Sequence, residues 1–319
     1  MRILMLNDFR QVGGAESHVD TLKKALEKQG IEVELWVAEE HVDVSDWRQA
    51  VKDFKPDILH VHNWALLIKE RATDGLFDTV PTVLSLHDYL LICYKRMRLH
   101  NWKCCPHICA DACDLFSKAK ELQKMAEPAI KVCFTPGSQD LFHLHGVETT
   151  LIPHGLDIGQ WAYNFAQKDL IGFVSAHPAY WWKGEAEADQ LGVGLRFVKA
   201  IGTLKTREQM SEFYRSLEVL VLPTIYDEPF CLVITEAMLS GVVVVSYRNT
   251  GSEFQIYDGE TGYLVPKGDY VALRETVQAV MAKDNTNIKE NARQYVVDHF
   301  QANRMASDYI ALYNRMLNK

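Results

Sequence analysis

The chain has 319 residues, 48% of them hydrophobic and 24% charged, with a formal net charge of −8. These values sit near the soluble globular average and exclude a disordered, collagen-like or coiled-coil chain. The acidic balance argues against general duplex binding, so no nucleic-acid partner is expected.

At about 150 residues per domain the length predicts two domains, each able to bury a core. No apolar run approaches the roughly 20 residues that cross a bilayer. Residues 1–8 lack a long apolar stretch and a cleavage site, so they read as a first strand rather than a signal peptide. Residues 2–6 are that strand, and Gly13-Gly14 breaks the chain after it. Residues 15–29 carry Val19, Leu22 and Leu26 on one helical face, and Gly30 ends that helix. Residues 31–37, 58–61, 82–86, 132–135 and 150–153 read as strands. Strands alternating with helices predict βαβ units around a parallel sheet. Residues 154–169, with Gly155, Asp157 and Gly159 and little periodicity, read as the linker. A second series follows: a strand over 171–175, a helix over 183–191 and a strand over 195–199. Thr206-Arg207-Glu208-Gln209 is a capping box that opens the next helix. Residues 219–222 and 242–246 are apolar on both faces, as in a buried parallel sheet. Residues 302–317 carry Met305, Tyr309, Leu312, Tyr313 and Met316 at helical spacing. The fold class is therefore α/β, with two Rossmann-like halves.

Residues 223–241 carry the densest chemistry. They begin at the carboxyl end of a buried strand, where α/β sheets bind ligands. A helix predicted to open near Phe230 offers free N–H groups and a positive end, suited to a diphosphate. Glu228 lies ahead of that helix and Glu236 about two turns along it, so the carboxylates are spread along a ligand. A glycosidase needs two facing carboxylates about 5–9 Å apart, and one helix start offers no such pair.

Glutamate, seven residues, glutamate, set within Pro-Phe-Cys-Leu and Glu-Ala-Met-Leu-Ser-Gly, resembles the signature of family 4 retaining glycosyltransferases of the GT-B fold. The resemblance implies that Glu228 holds hydroxyls of the donor sugar and Glu236 the nucleotide ribose. Further segments resemble the same family. Gly13-Gly14-Ala15-Glu16 is similar to its N-terminal glycine loop, whose backbone can approach a ligand closely. Ser85-Leu86-His87-Asp88-Tyr89 is similar to its His-Asp segment, whose histidine reaches the donor sugar near the reacting carbon. Ile152-Pro153-His154-Gly155-Leu156-Asp157 is similar to its interdomain segment, with His154 where asparagine is usual. Lys183-Gly184 is similar to the Lys-Gly that holds the diphosphate, and residues 258–265 to a late structural turn. The chain departs from the pattern in three ways. No arginine stands in residues 175–182, shortly before Lys183, leaving His177 or Arg196 as substitutes. Cys231 stands where glycine is common. The stretch from Asp157 to Glu228 is short.

The resemblance implies two Rossmann-like domains facing across a cleft: an acceptor-binding domain over 1–153 and a nucleotide-sugar-binding domain over 154–300. A last helix over 301–319 crosses back to the first domain. It implies metal-independent transfer of a sugar, with retention, from a UDP- or GDP-sugar to a hydroxyl acceptor in cell-surface glycan or glycoconjugate synthesis. The acceptor class is a glycan, a lipid-linked molecule or a small molecule. His87, Glu228 and Lys183 are the catalytic candidates. Gly13, Gly14, Lys183, Phe230, Cys231, Leu232 and Glu236 are the donor-binding candidates. Lys183 and the helix N-terminus would stabilise charge on the leaving β-phosphate. No Asp-X-Asp motif is present, so a metal on the diphosphate is not indicated. The alternative is a degenerate relative that binds a sugar nucleotide or a partner without turnover. A Rossmann oxidoreductase is disfavoured, because Gly13-Gly14 stands where a G-x-G-x-x-G fingerprint would be.

Cys93, Cys104, Cys105, Cys109 and Cys113 crowd one stretch with His100 and His107. Thiolates and imidazoles suit zinc, and Cys93, Cys104, Cys109 and Cys113 are the candidate ligands of a structural ion. An iron–sulfur cluster and unligated thiols in a reducing cytoplasm are the other readings. Lys95, Arg96 and Arg98 in the same stretch are acceptor-side candidates, for an anionic acceptor or a peripheral contact at the inner membrane face.

Overall fold

The computed structural model describes the chain apart from residues 11, 12, 97, 98, 101, 102, 105–115, 193, 205 and 319. It divides into two compact units. One comprises Met1–Met97, Pro106–Gly155 and Ala302–Lys319; the other comprises Arg98–Cys105 and Leu156–Gln301.

The first unit is built on a six-stranded sheet in the order β2-β1-β3-β4-β7-β8. Its strands are β1 (Arg2–Asn7), β2 (Glu32–Val37), β3 (Ile58–Val61), β4 (Thr82–Ser85), β7 (Ile130–Cys133) and β8 (Thr150–Leu151), all parallel. A short antiparallel pair, β5 (Leu99–His100) and β6 (Lys103–Cys104), stands apart. β3 and β4 are buried at every position, as a sheet covered on both faces requires. The connecting helices are α1 (Gly14–Lys28), α2 (Trp47–Phe54), α3 (Ala65–Lys69), α4 (Phe116–Met125) and α5 (Pro136–His143). α1 buries Val19, Leu22 and Leu26, the face read from the sequence. β7 ends two residues earlier than the sequence suggests. Thr135 is needed as the cap of α5, where it exchanges side-chain hydrogen bonds with Ser138 ahead of Pro136 at the first turn.

The second unit has a five-stranded parallel sheet in the order β10-β9-β11-β12-β13. These strands are β9 (Ile171–Ser175), β10 (Phe197–Ile201), β11 (Val219–Leu222), β12 (Val243–Tyr247) and β13 (Tyr263–Val265). Its helices are α6 (Glu185–Leu191), α7 (Arg207–Ser216), α8 (Leu232–Leu239), α9 (Thr250–Gln255), α10 (Tyr270–Met281) and α11 (Thr286–His299). The Thr206–Gln209 capping box does open α7. The core runs through Phe173, Val219, Val221, Val243, Val245, Leu273 and Val277. β10 starts two residues later than the sequence suggests.

The last helix, α12 (Ala302–Leu317), returns to the first unit and packs on α1. Its buried stripe is Ala302, Met305, Ala306, Tyr309, Leu312 and Tyr313. Within that unit the Tyr313 hydroxyl lies 2.7 Å from His60 Nδ1, and the Tyr309 hydroxyl 2.9 Å from Ser85 Oγ.

Both sheets reverse strand order beside their first strand, between β1 and β3 and between β9 and β11. At such a reversal the loops at the carboxyl ends diverge and leave a crevice, the usual ligand position of an open α/β sheet.

Candidate active site

In the second unit, β9 runs out at Ser175 towards a single turn of 3-10 helix over Trp181–Lys183. Gly184 follows with φ +82°, a left-handed backbone that favours glycine. A Cβ there would also lie 2.2 Å from the carbonyl oxygen of Pro223, at the exit of β11. The predicted helix over 183–191 therefore opens at Glu185, and Lys183 is left at the end of the 3-10 turn ahead of it. From there its Nζ donates to Glu228 Oε1 at 2.6 Å. Burial lowers the Lys183 pKa, but Glu228, with Cys231 and Tyr180, outweighs it and the net shift is upward, so the ammonium is kept.

Glu228 is only 6% exposed. Its carbonyl oxygen accepts from Thr250 Oγ1 at 2.6 Å, which pins the loop to the start of α9. Cys231 caps α8 in an extended conformation without a side-chain hydrogen bond, so the first N–H groups of α8 have no capping side chain. Gln255 clamps this residue on both sides: Oε1 accepts from Cys231 N at 3.0 Å, and Nε2 donates to Cys231 O at 2.8 Å. Phe230, Cys231 and Leu232 are all buried. Burial raises the Cys231 thiol above its ordinary value, so it stays an inert thiol.

Glu236 sits just over one turn into α8 rather than two, because the helix opens at Leu232 and not near Phe230. Its Oε2 accepts from the Tyr214 hydroxyl at 3.0 Å, and burial pushes its carboxyl up to about 7. Lys183, Glu228, the opening of α8 and Glu236 thus form one constellation beside the β9/β11 reversal. Neither arginine substitute bonds to it among the described residues. Arg196 pairs with Asp169 on the exposed surface, and His177 Nδ1 accepts from the Ala179 backbone.

In the first unit the singled-out residues gather at the carboxyl ends of β1, β3 and β4. Asp8 caps α3 by accepting from Ala65 N at 2.7 Å and Leu66 N at 3.2 Å. Glu16 Oε1 accepts from Asn63 Nδ2 at 3.2 Å. Gly13 has φ −170°, which any residue adopts, and among the described residues a Cβ there would meet only Glu16 Oε2, at 3.6 Å. The chain's own packing therefore does not require that glycine. Gly14 begins α1. His87 Nε2 lies 3.1 Å from His62 Nδ1, and burial drives the His87 pKa down to about 3, so the ring is neutral. His18 and His154 pack around it.

Arg96 is paired with Asp88 at 2.5 Å, and Lys95 is exposed. Cys93 is a free, partly buried thiol. Arg98, Cys105, Cys109, Cys113 and the Cys104 side chain lie outside the described residues, and the zinc assignment with them.

Sequence reasoning missed Tyr214, Gln255, His18 and His62. Only the histidines left a signal: His18 is a polar residue on the apolar face of α1, and His60-x-His62 repeats at the strand period.

Residues 183–295 match the family model described as "Glycosyl transferases group 1". The match lies wholly within the second unit. That stretch holds Lys183, Glu228, Cys231 and Glu236 together. The chain is 30% identical over 109 residues to the capsular polysaccharide biosynthesis glycosyltransferase CapM of Staphylococcus aureus, covering 34% of this chain and 28% of CapM. It is 28% identical over 135 residues to the lipopolysaccharide 1,2-N-acetylglucosaminetransferase of Salmonella typhimurium, covering 40% of this chain and 35% of that protein. The matches thus span about a third of these relatives.

Among solved structures, sucrose-phosphate synthase from Thermosynechococcus elongatus superposes with TM-score 0.77 at 16% identity, over 99% of each chain. Anabaena HepE in complex with UDP-glucose superposes with TM-score 0.75 at 16% identity, over 99% of this chain and all of that one. The likeness shows the fold, two parallel α/β units of the GT-B type.

Proposed function

We propose that the chain is a retaining glycosyltransferase that moves a sugar from a UDP- or GDP-sugar to a hydroxyl acceptor in cell-surface glycan or glycoconjugate synthesis. One observation carries the reading. A charged lysine, Lys183, is tied to a buried glutamate, Glu228, ahead of the uncapped start of α8, and a second buried glutamate, Glu236, follows in that helix.

Each part has a chemical use. Lys183 and the free N–H groups of α8 meet the diphosphate, and they neutralise charge on the β-phosphate oxygen as the bond to the sugar breaks. Glu228 accepts from sugar hydroxyls while Lys183 holds its carboxylate in one orientation. Glu236, braced by Tyr214, accepts from the ribose hydroxyls. A low-dielectric setting strengthens each of these contacts. His87 joins the catalytic set through the family resemblance, and its neutral ring can donate or accept at a sugar hydroxyl. The donor is held without a metal, since the cationic lysine and the helix end supply the positive charge. The names of CapM and of the lipopolysaccharide transferase support a glycan acceptor.

Calorimetry with UDP, GDP and their sugar conjugates tests the donor site. One base family is expected to bind at micromolar strength, and Glu236→Ala to weaken it at least about tenfold, or about 1.4 kcal/mol. Product analysis with the bound sugar nucleotide then reads the anomeric configuration. No binding of any nucleotide would overturn the proposal. Binding without transfer to any acceptor would favour the reading without turnover, which the unreplaced arginine motivates.

A further inference from the structure

The first unit brings five histidines together from separate segments: His18, His60, His62 and His154 are buried, and His87 is partly buried. Their partners divide them. His60 is satisfied at both ring nitrogens, by Ser85 Oγ at 2.8 Å and the Tyr313 hydroxyl at 2.7 Å. His18 is 1% exposed, yet neither of its ring nitrogens has a hydrogen-bond partner among the described residues. His62 is 2% exposed, and its Nε2 is likewise unpartnered there. Leaving a buried polar nitrogen bare costs about 1–3 kcal/mol, so a group that satisfies a ring nitrogen of His18 is favoured. No carboxylate or cation of the proposed reaction occupies this role.

One ring nitrogen each from His18, His62 and His87 falls within 4.8 Å of the others. We propose that His18, His62 and His87 form a binding site for one divalent transition-metal ion of the zinc and cobalt class. The donor set is three imidazoles, which suits borderline ions over magnesium or calcium. His62 Nδ1 and His87 Nε2 share a hydrogen bond at 3.1 Å, close to the roughly 3.3 Å that separates two nitrogens of a tetrahedral zinc site, and an ion would take the place of the shared proton. The third member must close in, and His18 can turn, since packing against His154 and Phe134 holds its ring and no hydrogen bond does. His60, fixed between β4 and α12, packs its ring 4.1 Å from that of His62 and backs the site. Coordination through one nitrogen of His87 leaves the other to donate outward, so the ion would orient the ring without consuming it.

The inference rests on the first unit alone, not on the proposed reaction, and its test is kept separate from turnover. Chelator-stripped full-length protein is titrated with Co²⁺ and followed by visible absorption and X-ray absorption. The expected result is one tightly held equivalent with nitrogen ligands and no thiolate charge-transfer band. His18→Phe, which matches the neighbouring Phe134 in character, should weaken it about 100-fold or more, as should His62→Gln. UDP binding to the second unit should be unchanged in both variants, and a retained melting transition reports folding. If a variant does not fold, the ligand count from X-ray absorption of the wild-type complex decides alone. No retained ion, an unaltered affinity in the folded variants, or sulfur ligation from the cysteine stretch would overturn the proposal.

Discussion

Lys183 and Glu228 are each other's condition for being buried. Removing one charge of a buried pair strands the other, which costs more than removing both. Lys183→Ala and Glu228→Ala are therefore each expected to destabilise the chain by a few kcal/mol, and the double variant by less than their sum. Denaturant melts of the full cycle check this. Glu236 behaves differently, since its folded-state carboxyl titrates near 7 because of burial. Its pKa is raised on folding, so its contribution to stability is present at low pH and is lost as pH rises through about 7. Relative to Glu236→Gln, the wild type should lose up to about 3 kcal/mol between pH 4.5 and 7. Ribose hydroxyls prefer the carboxylate, so nucleotide affinity should move the other way, rising from pH 6 to 8 in the wild type and staying flat in the variant. A flat wild-type profile would remove Glu236 from the ribose site.

The turn that joins 3-10 helix and α6 decides where Lys183 points. Gly184 is constrained twice, by its φ of +82° and by the Pro223 carbonyl 2.2 Å from a would-be Cβ. Gly259 shares the conformation, with φ +80°, but nothing lies within 4 Å of its would-be Cβ. Gly259→Ala should therefore cost only the left-handed penalty, about 1–2 kcal/mol. Gly184→Ala should cost clearly more and also weaken UDP binding, because the clash moves Lys183 from Glu228. Thermal melts with calorimetry separate the two effects. The same turn explains a misreading of the sequence. Lys183 to Leu191 has helix-compatible composition, but a glycine in the left-handed region ends one turn and starts another. Where side chains encode their own caps, as at Thr206 with Gln209, the boundary was legible.

At the scale of the whole molecule, the chain leaves its first unit at Gly155 and returns to it at Ala302. α12 completes that unit: its tyrosines satisfy His60 and Ser85, and Arg304 donates to the carbonyls of Pro153 and His154 at 2.7 and 3.0 Å. Tyr313→Phe should cost about 1–3 kcal/mol by baring His60 Nδ1. A chain ending at Gln301 should lose the cooperative unfolding of its first unit while the second still binds UDP. Differential scanning calorimetry with and without UDP distinguishes these outcomes.

The α/β class, the two parallel sheets and the span of α12 were written in the sequence, because periodicity and capping residues act within a turn or two of themselves. The glutamate pair and the Lys-Gly were legible for the same reason: each is a short run whose order survives any change of surroundings. The tertiary structure alone decided the partners. Tyr214 reaches Glu236 across 22 residues, Gln255 reaches Cys231 across 24, and Tyr313 reaches His60 across 253. It also decided protonation, since desolvation sums over every atom packed around a group and has no local signature. The gathering of His18, His62 and His87 belongs to the same class: helix α1 and the loops after β3 and β4 meet beside the point where the sheet reverses, and only the folded topology brings them there.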